Sequence, residues 1–526
     1  MSNYPSIFND VVGPVMRGPS SSHCAASLRI GRLCRDLMDG QINHILIEFD
    51  PNGSLATTHS SQGSDMGLFG GFLGWEAFDE RLQASAEHID KAGITVEIEI
   101  TPLTVSNHPN TYQLTLSSTV ECRRLVAIST GGGMIEVIAI DGAAVSMAGD
   151  YFETLIYCDT PANVTAYLEK AFAFDSLEWH PGEHSFIEIK AQQFLPDDLC
   201  NTLLSLDEVH RIKKLAPVLP ILARKNATVP FITCGEMLQY NQNKHLSLWE
   251  LAIDYESERG HISKEAVFEK MRSILRIMEN AIRLGLKGTH YHDRILGSQS
   301  LQFKEQLEKK RLPGGDANNT IILYVSAIME VKSSMGVIVA APTAGSCGAL
   351  PGAIIGMAAS LGLTEDEKVK GLLAAGLIGV FIAAHATFAA EVGGCMAETG
   401  SGGGMAAAGI VTMAGGNLQQ SLSAASLALQ NSLGLICDPI GNRVEAPCLN
   451  RNVMAATNAV ACANMALSDY NALIPLDEVI DTMKKVGDEI HHTLRCTNLG
   501  GLSVTPAAKN IEASLQEKAS SFFKVC

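Results

Sequence analysis

Three cysteines in the C-terminal half, Cys395, Cys437 and Cys448, carry the clearest chemical signal in the chain. They stand 42 and 11 residues apart, each beside a residue that interrupts helix. Gly393 and Gly394 precede the first, Pro439 follows the second and Pro447 directly precedes the third. Such punctuation sets the sulfurs at turns or helix ends, where backbone N–H groups can hold a thiolate and aim it into a shared space. The trio contains no C-x-x-C pair, so it fits a structural zinc site poorly. A cubane [4Fe–4S] cluster suits thiolates from separate segments better, and with three of them one iron stays open as a Lewis acid. Buried structural thiols are the competing reading, because free cysteine is among the most buried residue types.

Two further stretches hold residues able to bind an anion or carry a proton. The loop GPSSSH, residues 18–23, leads into a helix, and hydroxyls beside unpaired N–H groups at a helix N-terminus suit a carboxylate or phosphate. A plain N-cap with a surface histidine accounts for it equally well. The turn within APTAGSCGALPG, residues 341–352, also offers backbone N–H groups and hydroxyls. Cys347 within it reads as an inert buried thiol.

The elements that must position these residues fall into two classes. Alternating runs at 44–50, 94–100, 112–118, 123–129 and 134–141 predict half-buried strands, hence an α+β domain over residues 1–148. Residues 149–200 read as strand, helix, strand, and a proline-punctuated connector spans 201–232. Residues 233–526 are mainly helical; Val267, Met271, Ile274 and Leu275 recur at helical spacing and mark a core face.

The bulk numbers narrow the function classes. A chain of 526 residues exceeds one ordinary core, and 46% hydrophobic against 18% charged content predicts much buried helix. A net charge of −17 argues against a nucleic-acid partner. Thirteen cysteines in so long a chain are not a secreted disulfide framework. With no basic-then-apolar leader at the start, a cytoplasmic protein is expected. Residues 371–390 are long enough to cross a membrane, but their alanine and glycine content favours a closely packed core helix, so no membrane partner is expected.

The run from Ala340 to Leu502, with APTAGSCGALPG, AEVGGCMAETG, CDPIGNRVEAPCLNRN and TNLGGLSVTP, resembles the catalytic part of the iron–sulfur-dependent L-serine dehydratases (L-serine ammonia-lyases). The resemblance implies that Cys395, Cys437 and Cys448 hold a [4Fe–4S] cluster. It also implies that Ser20, Ser21, Ser22, Thr343, Ala344 and Gly345 contact a small amino-acid substrate, with His23 a proton carrier. Some family members place a chain-terminal cysteine on the open iron, which nominates Cys526, with Cys496 its rival. The segment HSSQGSD stands where the family has His-Gly-Thr-Asp, so Gln62 replaces a histidine; Gln62, Ser64 and Asp65 become substrate contacts and His59 the substitute base. Lys332 replaces a usual asparagine. These two departures leave room for threonine, cysteine or a hydroxy acid as substrate, and a non-catalytic iron–sulfur sensor is the alternative outside the lyases. The resemblance further implies beta- and alpha-type parts fused in one chain, an incomplete ACT-like regulatory segment at 149–200, and a homodimer.

Overall fold

The computed structural model describes residues 4–182, 184–291 and 294–522, with 518–522 as backbone alone. Its described residues divide into two compact units, 22–227 and 4–21 with 228–522.

The first unit is α+β. Its larger sheet has six strands in the order Thr95–Ile100, His44–Phe49, Thr111–Ser117, Cys122–Gly131, Met134–Ile140, Ala143–Met147. Only the first pair is parallel. Alternate residues such as Ile45, Ile47 and Phe49 face a core shared with helix Ala26–Leu37, whose Ile30, Leu33 and Leu37 lie on one stripe. All five expected strands are present. The sixth, AAVSM, follows a Gly142 turn at φ +83° and is too short for its alternation to stand out.

Residues 152–215 form a second, four-stranded antiparallel sheet in the order Val209–Leu215, Phe152–Cys158, Phe186–Ala191, Ser176–His180. Helices Ala162–Ala171 and Asp197–Leu204 cover one face, completing a βαββαβ ferredoxin-like unit. The unit is therefore larger than the 149–200 segment expected, and the connector begins only after Leu215. Its last strand, VHRIKKL, was hidden by charge: Lys213 is fully buried yet paired with Asp39 and Glu121. Topology alone does not make the unit an ACT domain.

The second unit is helical. Helix Glu365–His385 is 21 residues long and apolar enough to span a membrane by length and composition, yet most of its apolar window is buried within the unit. It packs against helices Leu248–Gly260, Lys264–Gly285 and Ser401–Met413 as a core element. Small residues permit the contact: a Cβ on Gly409 would lie 2.7 Å from the Gly371 carbonyl oxygen. The expected helical domain began at residue 233, but residues 4–21 also belong here. Ser6 Oγ and the Ile7 N–H donate to the buried Glu256 carboxylate at 2.5 and 2.7 Å. The Val15–Met16 strand pairs with Ile338–Val339. No periodic pattern in eighteen residues announces such a long-range anchor.

Candidate functional site

In the helical unit the three cysteines leave three different elements. Cys395 follows the short helix Ala390–Gly393, Cys437 lies in an isolated bridge with Arg495, and Cys448 opens helix Cys448–Leu467. All are buried. The Cys437 thiol is hydrogen-bonded to both Cys395 and Cys496, and Cys448 lies within the electrostatic reach of Cys395. Contact with Cys437 and the nearby Arg451 guanidinium pull the Cys395 thiol below its ordinary range, whereas burial pushes Cys448 up. Arg451 Nη1 donates to Cys395 Sγ at 3.2 Å and to the Ile436 carbonyl at 2.9 Å, while Nη2 pairs with Asp438 at 2.5 Å.

Thiol donors of this kind suit iron–sulfur clusters or zinc. Among the described residues, the only His/Cys/Asp/Glu trio with ligand atoms all within 4.8 Å of one another lies elsewhere, on Glu178, His180 and Glu188. The three sulfurs are thus spread more widely than one zinc ion, with Zn–S about 2.3 Å, would hold them. Cys496 joins the cluster of buried thiols directly. Cys526 lies outside the described residues.

The expected turn at 343–345 lies in the same unit. The Ala344 N–H donates to Ser21 Oγ at 3.2 Å, so the first serine loop and this turn meet. Thr343 is hydrogen-bonded to Ser346 and to Glu398. Asn452 holds the turn to the cysteine helix: its Nδ2 donates to the carbonyls of Gly345 and Cys448, both at 2.8 Å, and its Oδ1 accepts from the N–H groups of Gly348 and Ala349. A Cβ on Gly345 would lie 2.9 Å from Glu398 Oε2, so only glycine leaves this carboxyl uncrowded.

Glu398 is the main residue that sequence reasoning missed. It is half-buried, and desolvation of its carboxyl, then Cys395, then Glu391, hold that group well above the usual carboxylate range. A lone acidic residue inside the Gly/Ala-rich run GGCMAETGSGGGM was the available signal. Lys332 is fully buried and its ammonium donates to the Val444 carbonyl. Its charge opposes the burial effects on Cys347, Glu398, Glu445 and Cys448. Burial raises the Cys347 thiol to about 12, consistent with an inert role.

The α+β unit carries the other expected residues. Helices Ala26–Leu37 and Ser64–Phe72 cross closely because Gly67 and Gly71 carry no side chain. This crossing brings His23 and the HSSQGSD loop together. His23 Nε2 lies 2.9 Å from Thr58 Oγ1. Burial, and secondarily His59, lower its pKa to about 3, so the ring is neutral and a poor proton acceptor at pH 7. Asp65 contacts His59 Nδ1 with both oxygens, at 2.8 and 2.9 Å, leaving Nε2 as the basic atom. Both Asp65 oxygens are thus engaged by His59. Ser64 Oγ is engaged with Tyr112 at 3.0 Å. Gln62 is buried and its Nε2 finds no hydrogen-bond acceptor, as expected of a donor kept for a ligand. Ser20 and Ser22 are buried with Ser21 in the loop that joins the units in sequence.

Comparison with known proteins adds an independent line. Residues 243–503 match the family model described as serine dehydratase alpha chain. The chain is 37% identical over 285 residues to a probable L-serine dehydratase alpha chain of Bacillus subtilis, covering 54% of this chain and 95% of the relative. It is 47% identical over 180 residues to the corresponding probable alpha chain of Latilactobacillus sakei, covering 34% and 86%. Against the L-serine dehydratase alpha chain of Peptoniphilus asaccharolyticus it is 32% identical over 280 residues, covering 53% and 96%. All the anchors of the thiol site, from Thr343 to Asn452, fall inside the matched region. The chain belongs to the L-serine dehydratase family, with its alpha-chain part fused behind an N-terminal α+β unit in one polypeptide.

Proposed function

We propose that this protein is an L-serine ammonia-lyase that eliminates water from L-serine and yields pyruvate and ammonia. The observation that carries the reading is the convergence of Cys395, Cys437 and Cys448 beside the Thr343–Gly345 turn, within the part related to L-serine dehydratase alpha chains. The three thiolates would hold a [4Fe–4S] cluster, which when bound would supply Lewis acidity toward the leaving hydroxyl.

Elimination also needs a base for the α-proton and a donor for the departing oxygen. His59, oriented through Nδ1 by Asp65, is the base, with Nε2 as the accepting atom. His23 stays neutral and serves as a hydrogen-bond partner to Thr58. Glu398, whose carboxyl is held well above the usual carboxylate range, is placed by its chemistry to give up a proton near Thr343. Within the helical unit, the substrate carboxylate takes Ser21 and the backbone of the 343–345 turn as donors. Gln62 accepts no proton, so its service is binding alone.

The test is pyruvate and ammonia formation by the anaerobically purified full-length protein, with L-serine, L-threonine and L-cysteine offered separately. L-serine should have the highest kcat/KM. No turnover of any of the three by cluster-loaded protein would overturn the assignment and favour a sensor. The βαββαβ unit is proposed as the regulatory part; hydrogen exchange in 152–215 that serine leaves unchanged would remove that role.

A further inference from the structure

Away from the thiols, the sheet of the βαββαβ unit carries a group of ionisable residues that the lyase reading does not use. We propose that Glu178, His180 and Glu188 form a binding site for one divalent first-row transition-metal ion. Glu178 and His180 project from the same face of strand Ser176–His180, and Glu188 stands directly across from Glu178 on the neighbouring strand. One ligand atom from each lies within 4.8 Å of the others. Glu188 and His180 are largely buried, with side-chain exposures of 2% and 11%, while Glu178 is exposed and leaves one side open to solvent. Imidazole with carboxylates is a borderline donor set that favours ions such as Mn2+, Fe2+ or Zn2+ over Ca2+.

The ligand arrangement has support behind it. His180 Nε2 lies 2.7 Å from Glu188 Oε2, and the ring is also hydrogen-bonded to the backbone of Ala144 in the adjoining six-stranded sheet. A histidine fixed by a backbone partner is the usual setting of a metal ligand. A second, independent observation points to a cation as the ligand. Glu153 is fully buried against the Glu188 carboxyl, and no donor outside that pair reaches either of its oxygens. Asp150 adds a further carboxylate to its surroundings. Glu178, Glu188, Glu153 and Asp150 thus bring four carboxyl groups together here, with Lys190 3.3 Å from Glu188 Oε1 and the His180 ring beside them. Lys190 also donates to the Ser146 carbonyl, beside Ala144. A bound ion would take the place of the proton between His180 and Glu188, offset the excess negative charge, and clasp the edge hairpin of this unit onto the Ala143–Met147 strand.

Mn2+ tests the site because it is a poor ligand for thiols. Full-length protein, freed of adventitious metal and kept anaerobic, is titrated with Mn2+ while the free-ion electron paramagnetic resonance signal is followed. Saturable uptake of one ion per chain is expected, weakened at least tenfold in Glu188→Gln and in His180→Ala, and retained in Cys395→Ala. His180→Ala serves even if Glu188→Gln does not fold, since that ring is not fully enclosed. No saturable uptake, undiminished uptake in His180→Ala, or loss in Cys395→Ala would overturn the site.

Discussion

Replacing Asp65 by asparagine should remove most of the activity while leaving the fold in place. Asp65 contacts His59 Nδ1 at 2.8 and 2.9 Å, and both side chains are mostly shielded, with exposures of 18% and 23%. A hydrogen bond to a charged group contributes about 1.5–3 kcal/mol. At about 1.4 kcal/mol per tenfold, its loss from a transition state that puts charge on the imidazole lowers kcat/KM about 10- to 150-fold. Asparagine keeps the size but can also present its amide to Nδ1 and select the wrong tautomer, which deepens the loss. The assay is initial-rate pyruvate formation under anaerobic conditions, with cluster content and urea midpoint measured on the same preparation. A variant with wild-type cluster content and kcat/KM within twofold of wild type would refute His59 as the base.

Asn452→Ala should cost about 3–5 kcal/mol in urea denaturation and impair cluster retention, because four backbone groups at the Gly345 turn and at Cys448 lose their partner. Gly67→Ala should destabilise by about 1–3 kcal/mol, since its Cβ would lie 2.1 Å from Ser27 Oγ and 2.2 Å from the Cys24 carbonyl oxygen. Glu256 makes stability depend on pH: burial raises its carboxyl to about 7 against an ordinary 4.5, so the folded state binds the extra proton between those values. That contribution is complete below about pH 4.5 and is lost as pH rises toward 7, a fall of about 3 kcal/mol that Glu256→Gln should remove from the denaturation profile.

Residue types and punctuation made the thiol trio legible, because Gly393, Gly394, Pro439 and Pro447 mark the backbone breaks where the sulfurs turn inward. Half-buried strands were equally plain from alternation. Long-range partners left no local trace. The attachment of residues 4–21 to the helical unit depends on Glu256, some 250 residues away. The last strand of the βαββαβ unit, with Arg211, Lys213 and Lys214, looks like a solvated connector until Asp39 and Glu121 are seen to neutralise Lys213. Asp65 was read as a substrate contact and His23 as a proton carrier on resemblance alone. Depth of burial gives His23 a neutral ring, and proximity makes Asp65 the support of His59. Glu398 went unnoticed because its raised pKa comes from burial near Cys395 and Glu391, which composition cannot express.

The central claim, that Cys395, Cys437 and Cys448 hold the cluster on which lyase activity depends, is tested most directly by one paired measurement. Iron and sulfide content and the visible spectrum are recorded alongside pyruvate formation from L-serine, for wild type and the three single Cys→Ala variants. Wild type should carry about four irons per chain and be active, with cluster and activity lost together in every variant. Activity in iron-free protein, or in a variant without its cluster, would contradict the account.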